Sequence, residues 1–448
     1  MPSPSSFARA LGWCCSAVLP WLGPSMAWSA EPRPYSGDRE VAWADEEEPT
    51  SDDEEGKDEP STPVPARLLE TFAPEGGEDT RARVRVGLGE GMTAESADGA
   101  YLLNIRARMQ VRATQSSASP AGDPPSVGFM IRRARLVFQG HVFSRQWEYY
   151  LQLGFSNLDM EPDLRIPLRD AAITWKRFRD FNVRAGQMKV PFDRQRVISS
   201  SALMFADRSI VVQELNLDRD VGVQALSRDL FGLGHRLGYQ VGVFGGDGRN
   251  RVARELGVLV VGRVQVAPLG GNFDEFDDYA ESVPERPATP KFAIAGGAAY
   301  NRNSNRSLST FGMVYRVARF DFLHGEADFI FKWRGWSLQG QWLLRKANRP
   351  SETGEVDGIE ITELSRSGWG WFTQSGYRFA FPLELAARYG ELYPLDETAI
   401  ELQRELGPGI SWYFKDHALK IQADYFYLFG ADIHEGRHEA RVQMQIFF

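Results

Sequence analysis

Residues 440–448 read Ala-Arg-Val-Gln-Met-Gln-Ile-Phe-Phe. As a strand, this stretch puts Ala440, Val442, Met444, Ile446 and Phe448 on one face and Arg441, Gln443 and Gln445 on the other, because successive side chains point to opposite sides. One face suits hydrocarbon, the other suits water, and the last residue is aromatic. That is the pattern of a bacterial outer-membrane barrel strand, with lipid outside and solvent in the bore.

The same period of two recurs upstream. In 101–113, Ile105, Ala107, Met109 and Val111 alternate with Asn104, Arg106, Arg108, Gln110 and Arg112. In 147–157, Trp147, Tyr149, Leu151, Leu153 and Phe155 alternate with Glu148, Tyr150, Gln152 and Ser156. In 417–428, Leu419, Ile421, Ala423, Tyr425 and Tyr427 alternate with Lys420, Gln422 and Asp424. Sixteen segments are expected as strands: 101–113, 129–142, 147–157, 168–176, 181–189, 220–227, 236–244, 256–267, 291–300, 325–334, 336–345, 368–379, 382–391, 402–414, 417–428 and 438–448.

The gaps between them alternate in length. Phe143–Gln146, Arg177–Asp180, Gly335 and Lys415–Asp416 are short; Thr114–Gly128, Val190–Arg219, Asn301–His324 and Lys346–Ser367 are long. Barrels have short periplasmic turns and long outer loops, so both chain ends are expected in the periplasm. Pro268–Pro290 falls where a short turn belongs, yet it is long and acidic, and the pattern supplies no reason for it. Trp333 and Trp336 flank a tight turn, where an interfacial aromatic belt is expected. A soluble β-sandwich also alternates, but it does not account together for sixteen such segments, an export signal and a terminal Phe. A helical fold would show a period of 3.6 instead. The fold class is therefore all-β: an antiparallel transmembrane barrel over 101–448, preceded by a short hairpin over 81–100 with Arg83–Val86 as a strand.

The N-terminal part reads as targeting and linker. Arg9 precedes an apolar stretch from Ala10 to about Gly23, and Ser25 and Ala27 are the small residues of a cleavage after Ala27, with Ala30 as an alternative. Residues 1–27 are thus expected to be a signal peptide. Cys14 and Cys15 are the only cysteines, and bulky Trp13 before Cys14 argues against a lipoprotein. The net charge of −9 is localised: residues 31–80 hold 17 acidic and 4 basic side chains, whereas 81–448 hold 43 acidic and 46 basic. The acidic, Pro-sprinkled stretch over 28–80 repels itself and lacks the apolar content for a core, so it is expected to be a disordered periplasmic segment.

The candidate functional residues are basic and face the bore. A sixteen-stranded barrel leaves an aqueous channel, whose selectivity is set by wall charges and by any loop folded inward. Arg106, Arg108 and Arg112 share one face; Arg133 and Arg135 share another, with Arg132 just off it; Lys176 and Arg184 add to the same side. Guanidiniums stay charged and offer forked donors matched to phosphate or carboxylate oxygens, so such a ladder attracts inorganic anions. The alternative is pairing with Glu148, Asp170 or Glu326 to stiffen the wall. Val190–Arg219, beginning after Lys189, carries Arg194, Arg196 and Arg208 beside Leu203, Met204 and Phe205. It either folds inward to narrow the pore or caps the outside against lipopolysaccharide. His434-Glu435-Gly436-Arg437-His438 matches a zinc-protease pattern, but that chemistry needs a helix and a third ligand, and these residues fall on a hairpin loop. No cofactor, metal or nucleic acid is implied. A general diffusion pore and an outer-membrane lipid-modifying enzyme, whose Ser/His pair would be invisible in spacing, stand as alternatives.

Arg132-Arg133-Ala134-Arg135-Leu136, Trp147–Phe155, Asp170-Ala171-Ala172-Ile173, Gly186–Phe192, Asp220–Gln224, Tyr239–Asn250, Gly262-Arg263-Val264 with Ala267-Pro268, and Gly335–Gly340 together resemble the phosphate-selective porin O/P family. The likeness is clearest over about 100–300. It implies a sixteen-stranded, trimeric outer-membrane porin with a basic ladder and an inward loop, passing anions such as phosphate or polyphosphate. Arg132 and Arg133 match the family's paired arginines, and Lys189 its lysine before Pro-Phe; alternation favours Arg133 over Arg132 as lumen-facing. The resemblance also marks Phe448 as the assembly signal read by the barrel-assembly machinery. The long acidic N-terminal segment is a departure from the family.

Overall fold

In the computed structural model, residues 82–448 are described, apart from 121–123, 162, 252–256, 270–279 and 283–285. The expected signal peptide and the whole acidic segment lie outside the described residues. The first elements are two short strands, β1 (Arg83–Gly87) and β2 (Gly91–Glu95), paired as a hairpin. The barrel wall starts with β3 (Leu102–Ser119), β4 (Ser126–Val142), β5 (Ser144–Gly154), β6 (Leu168–Trp175) and β7 (Asn182–Lys189). It continues through β8 (Arg219–Ser227), β9 (Leu237–Phe244), β10 (Val258–Val266), β11 (Lys291–Ser304), β12 (Phe320–Trp333) and β13 (Trp336–Ala347). After a separate hairpin, β14 (Ser351–Val356) and β15 (Ile359–Leu364), it finishes with β16 (Gly368–Arg378), β17 (Leu383–Pro394), β18 (Gln403–Lys415), β19 (Leu419–Phe429) and β20 (Gly436–Phe447). Each wall strand is antiparallel to its neighbours, and β20 pairs with β3 from Gly436↔Ser119 to Phe447↔Arg108. Sixteen strands form a closed barrel.

Closure has a seam. Phe448 exchanges backbone bonds with Ala107, donating at 2.9 Å and accepting at 2.6 Å. The stagger then leaves Leu102–Ile105 beyond the end of β20. β2 occupies that edge, with Met92 opposite Ile105 and Glu95 opposite Leu102. Open strand groups invite wrong pairing and are costly near lipid; the hairpin satisfies them.

The alternation sorts as expected. Met109, Val111, Val223, Val241, Val442 and Met444 are exposed outward, while Gln110, Arg112, Gln443 and Gln445 are buried in the bore. Outward aromatics collect at the short-turn end: Phe143, Phe178, Trp333, Trp336, Phe414 and Phe448. Two differences have physical causes. Thr114–Gly128 is not a long loop, because β3 and β4 run on to Ser119 and from Ser126; past the apolar band, ladder hydrogen bonds persist while lipid no longer enforces apolar alternation. Similarly, 346–367 contains the β14–β15 hairpin. Strand parity also shifts at bulges, where two residues oppose one. Gln110 pairs Arg133 and Val111 pairs Ile131, so Arg132 is the extra residue.

The bore is not evenly open. Residues 190–218 fold inside it, against the outside-cap alternative. They carry two short helices, α1 (Arg194–Val197) and α2 (Ile210–Leu215), capped by Asp193 and Ser209 side chains. Val190, Phe192, Val211, Val212, Leu215 and Leu217 pack on Phe244, Leu259, Leu343, Phe372 and Leu392 of the wall. Close approach requires small wall residues: a Cβ at Gly370 would lie 2.9 Å from Val211, and one at Gly409 2.7 Å from Phe205. The long β10–β11 connection helps fill the same side. Glu281, 1% exposed, accepts from Gln195 Nε2 at 2.9 Å and from the Met204 N–H at 2.8 Å. Lys332 Nζ donates to the Ala280 carbonyl at 2.6 Å. Part of the segment without a sequence explanation thus enters the lumen and braces the loop.

Neighbouring positions on β9 test the orientation. Val241 faces outward and Gln240 lines the interior cavity. Val241→Arg is expected to destabilise the barrel by about 2–4 kcal/mol, and Gln240→Lys by less than about 1 kcal/mol, in denaturant unfolding from lipid vesicles. The reverse ranking would refute the assignment of faces.

Candidate functional site

The open part of the bore is a cavity of about 1640 Å³ between the inward loop and the wall strands β3–β9. It reaches from Leu102 and His141 near the turn end to Met160, Val314 and Glu363 near the loop end. Fourteen arginines and Lys189 line it, against six carboxylates.

Most of the expected basic residues meet there. Arg106, Arg108, Arg132, Arg133, Arg135, Arg184, Lys189, Arg196 and Arg208 are all on the cavity wall. Arg112 and Arg194 are not. Arg112 reaches Asp207 at 2.8 Å, the Ala206 carbonyl at 2.6 Å and Gln443 at 2.9 Å. Arg194, near the start of α1, points to the opposite wall and pairs with Asp328 at 2.6 Å. The β3–β4 bulge overrides the parity expectation for Arg132: it turns inward beside Arg133 and meets Asp207 at 3.1 Å.

The ladder holds cations paired with carboxylates and cations on neutral oxygens. Asp207 at the loop tip faces Arg112, Arg132 and Arg133, the last at 3.6 Å. Burial pushes its carboxyl up, but these guanidiniums outweigh that and hold it well below the usual carboxylate range. Asp159 holds Arg135 at 2.5 Å and Arg169 at 3.3 Å. Asp218 takes Arg219 at 2.9 Å and Arg196 Nε at 2.9 Å. Four further cations donate to neutral oxygens. Arg106 bonds Gln139 Oε1 at 2.7 Å and Arg108 bonds Ser199 Oγ at 3.2 Å. Lys189 Nζ bonds the carbonyls of Val197 and Ile198 at 2.7 and 2.9 Å, and Arg208 Nε that of Gln195 at 2.7 Å. None of these four bonds a carboxylate; Arg108, Lys189 and Arg208 fix the loop, whereas Arg106 ties β3 to β4.

Among the cations singled out from the sequence, only Lys176 pairs with one of the expected carboxylates. Glu148 meets Lys176 at 2.8 Å, Asp170 meets Arg219 at 3.0 Å and Glu326 meets Arg263; the β3–β4 arginines instead use Asp159 and Asp207 from the connections. Sequence reading missed Arg169, Arg219, Arg249 and Arg306. For Arg169 the cause is another bulge, where Gln152 pairs Asp170 and Leu153 pairs Leu168, so both Arg169 and Asp170 are buried inward. His438 lies on β20 with Nδ1 2.5 Å from Tyr425 Oη, and no group of three or more metal-ligating side chains is present among the described residues.

A family model described as phosphate-selective porin O and P matches residues 103–448. Comparison with solved structures finds the same fold at low identity. An anion-selective porin from Comamonas acidovorans superposes with a TM-score of 0.51 at 11% identity, covering 77% of this chain and 99% of that one. A loop-deletion mutant of the Vibrio cholerae outer-membrane protein OmpT gives 0.50 at 11%, covering 78% and 100%. Pseudomonas putida OprB gives 0.50 at 8%, covering 77% and 94%. A comparison with curated proteins finds no significant match.

Asp207→Asn removes the carboxylate facing three guanidiniums while keeping its shape. Uncompensated buried charge costs about 3–5 kcal/mol, so the loop tip is expected to detach before the barrel melts. Amide hydrogen exchange over 190–218 should rise while exchange in the wall strands is unchanged. Unaltered loop protection would refute Asp207 as its anchor.

Proposed function

Because this chain belongs to the phosphate-selective porin O and P family, and is an outer-membrane porin rather than an enzyme, we propose that its bore prefers small anions, of the phosphate or polyphosphate type. The supporting observation is the surplus of cations along the cavity, fourteen arginines and a lysine against six carboxylates. At physiological salt, charges screen one another over about 8 Å. Wall charges in a narrow bore therefore overlap and raise the local anion concentration. Arg106, Arg108, Lys189 and Arg208 contribute most, since their partners are neutral oxygens. Arg132, Arg133, Arg135 and Arg196, held by Asp207, Asp159 and Asp218, contribute less and mainly shape the wall. A solute is passed between weak sites, which is what conduction requires.

The same reading places the short-turn end, with β2 and Phe448, toward the periplasm, and long connections outward toward lipopolysaccharide. A signal peptide over 1–27, a periplasmic acidic segment over 28–80, a homotrimeric assembly and recognition of Phe448 by the barrel-assembly machinery belong to this proposal. Their support is the export-like N-terminus, the outward terminal aromatic and the family resemblance.

Planar-bilayer recording across a KCl gradient is expected to give a chloride-favouring reversal potential. Arg106→Gln with Arg108→Gln should move it toward cations, while channels still insert. A native potential near zero would favour a general diffusion pore instead, and a cation-favouring one would refute anion preference.

A further inference from the structure

The loop-side mouth of the cavity differs in chemistry from its depth. Leu158 and Met160 come from the β5–β6 connection, Phe311, Met313 and Val314 from the β11–β12 connection, and Leu364 from β15; all line the cavity that the arginines line. Met313 is 75% exposed and Leu158 56%, so large apolar side chains here meet water. They sit on braced backbone. Arg306, 1% exposed, pairs with Glu161 at 2.6 Å, tying the β11–β12 connection to the β5–β6 connection. Glu363 accepts from the N–H groups of Arg316, Val317 and Ala318 at 2.9, 3.0 and 2.8 Å. Tyr315 Oη donates to the Leu364 carbonyl at 2.9 Å. Three connections thus form one continuous rim.

A hydrated inorganic ion gains nothing from an apolar rim, which only adds a dewetting barrier. We propose that this rim, with the arginines below it, binds short-chain organic carboxylates, whose apolar body lies on the rim and whose head reaches the guanidiniums. The inference rests on the anion preference proposed above and adds an organic class of anion to it. Apolar contact removes both the chain and the rim from water, and the charged head makes charge-assisted hydrogen bonds to arginine. Predominantly apolar walls with a few convergent polar groups are how small-molecule sites combine affinity with orientation.

The test is single-channel recording of the full chain in planar bilayers, with chloride as carrier and hexanoate, acetate or neutral hexanol added on the loop side. Hexanoate is expected to halve the current at a concentration at least about tenfold below acetate, because its longer chain buries more apolar area. Hexanol should not block. Leu158→Ser with Met313→Ser, or Met313→Ser alone, should bring hexanoate and acetate to within about threefold of each other. The readout comes only from inserted, conducting channels, so a variant that fails to fold gives no false result. Equal block by hexanoate and acetate, block by hexanol matching hexanoate, or an unchanged ratio in both variants would overturn the rim site. A cation-favouring reversal potential in KCl would refute anion preference separately.

Discussion

No strand edge can be left open in hydrocarbon, and the rest of this structure depends on that constraint. Backbone N–H and C=O groups facing lipid lack water to bond, so the last strand must find the first. Here β20 does so along β3, ending with Phe448 on Ala107. Stagger is unavoidable in a closed barrel, and it leaves a stub of β3 without that partner. The β1–β2 hairpin is where the sequence meets this geometric remainder.

Closure creates a bore wide enough that its filling becomes a second problem. The inward loop packs apolar side chains on one wall, where Gly370 and Gly409 leave room, and Glu281 braces it from the turn end. What stays open lies along β3–β9, where arginines dominate. Asymmetry of the filling therefore decides which wall solute meets. The strands on the filled side are as polar inward as the others, but their Glu and Asp side chains meet protein instead of water, as with Asp328 on Arg194 and Arg263.

The strands were legible because lipid and water impose a period of two: all sixteen were found, most within about three residues of their bounds, although β3 runs six residues further and β12 starts five earlier than expected. Loop fate was less legible. Leu203, Met204 and Phe205 hinted at burial, but no local pattern separates an apolar loop that dives inward from one that caps the mouth. Individual side chains failed where the period itself slips. Arg132 and Arg169 sit at bulges, and a bulge leaves no mark in a single sequence. The carboxylates holding the arginines, Asp159, Asp207 and Asp218, lie in connections, so nothing in strand alternation assigns them a direction. Composition carries the basic excess, but which carboxylate meets which arginine is decided by the fold.

Lys189, Arg108 and Arg208 grip the loop through its own carbonyl and hydroxyl oxygens. The groups that supply the field are thereby the bolts of the constriction. Width and polarity at this point are consequently a single variable: neutralising one of these side chains slackens the partition as well as dimming its potential. Any homologue that trades a cation here for another residue must change the calibre of what it admits together with its sign.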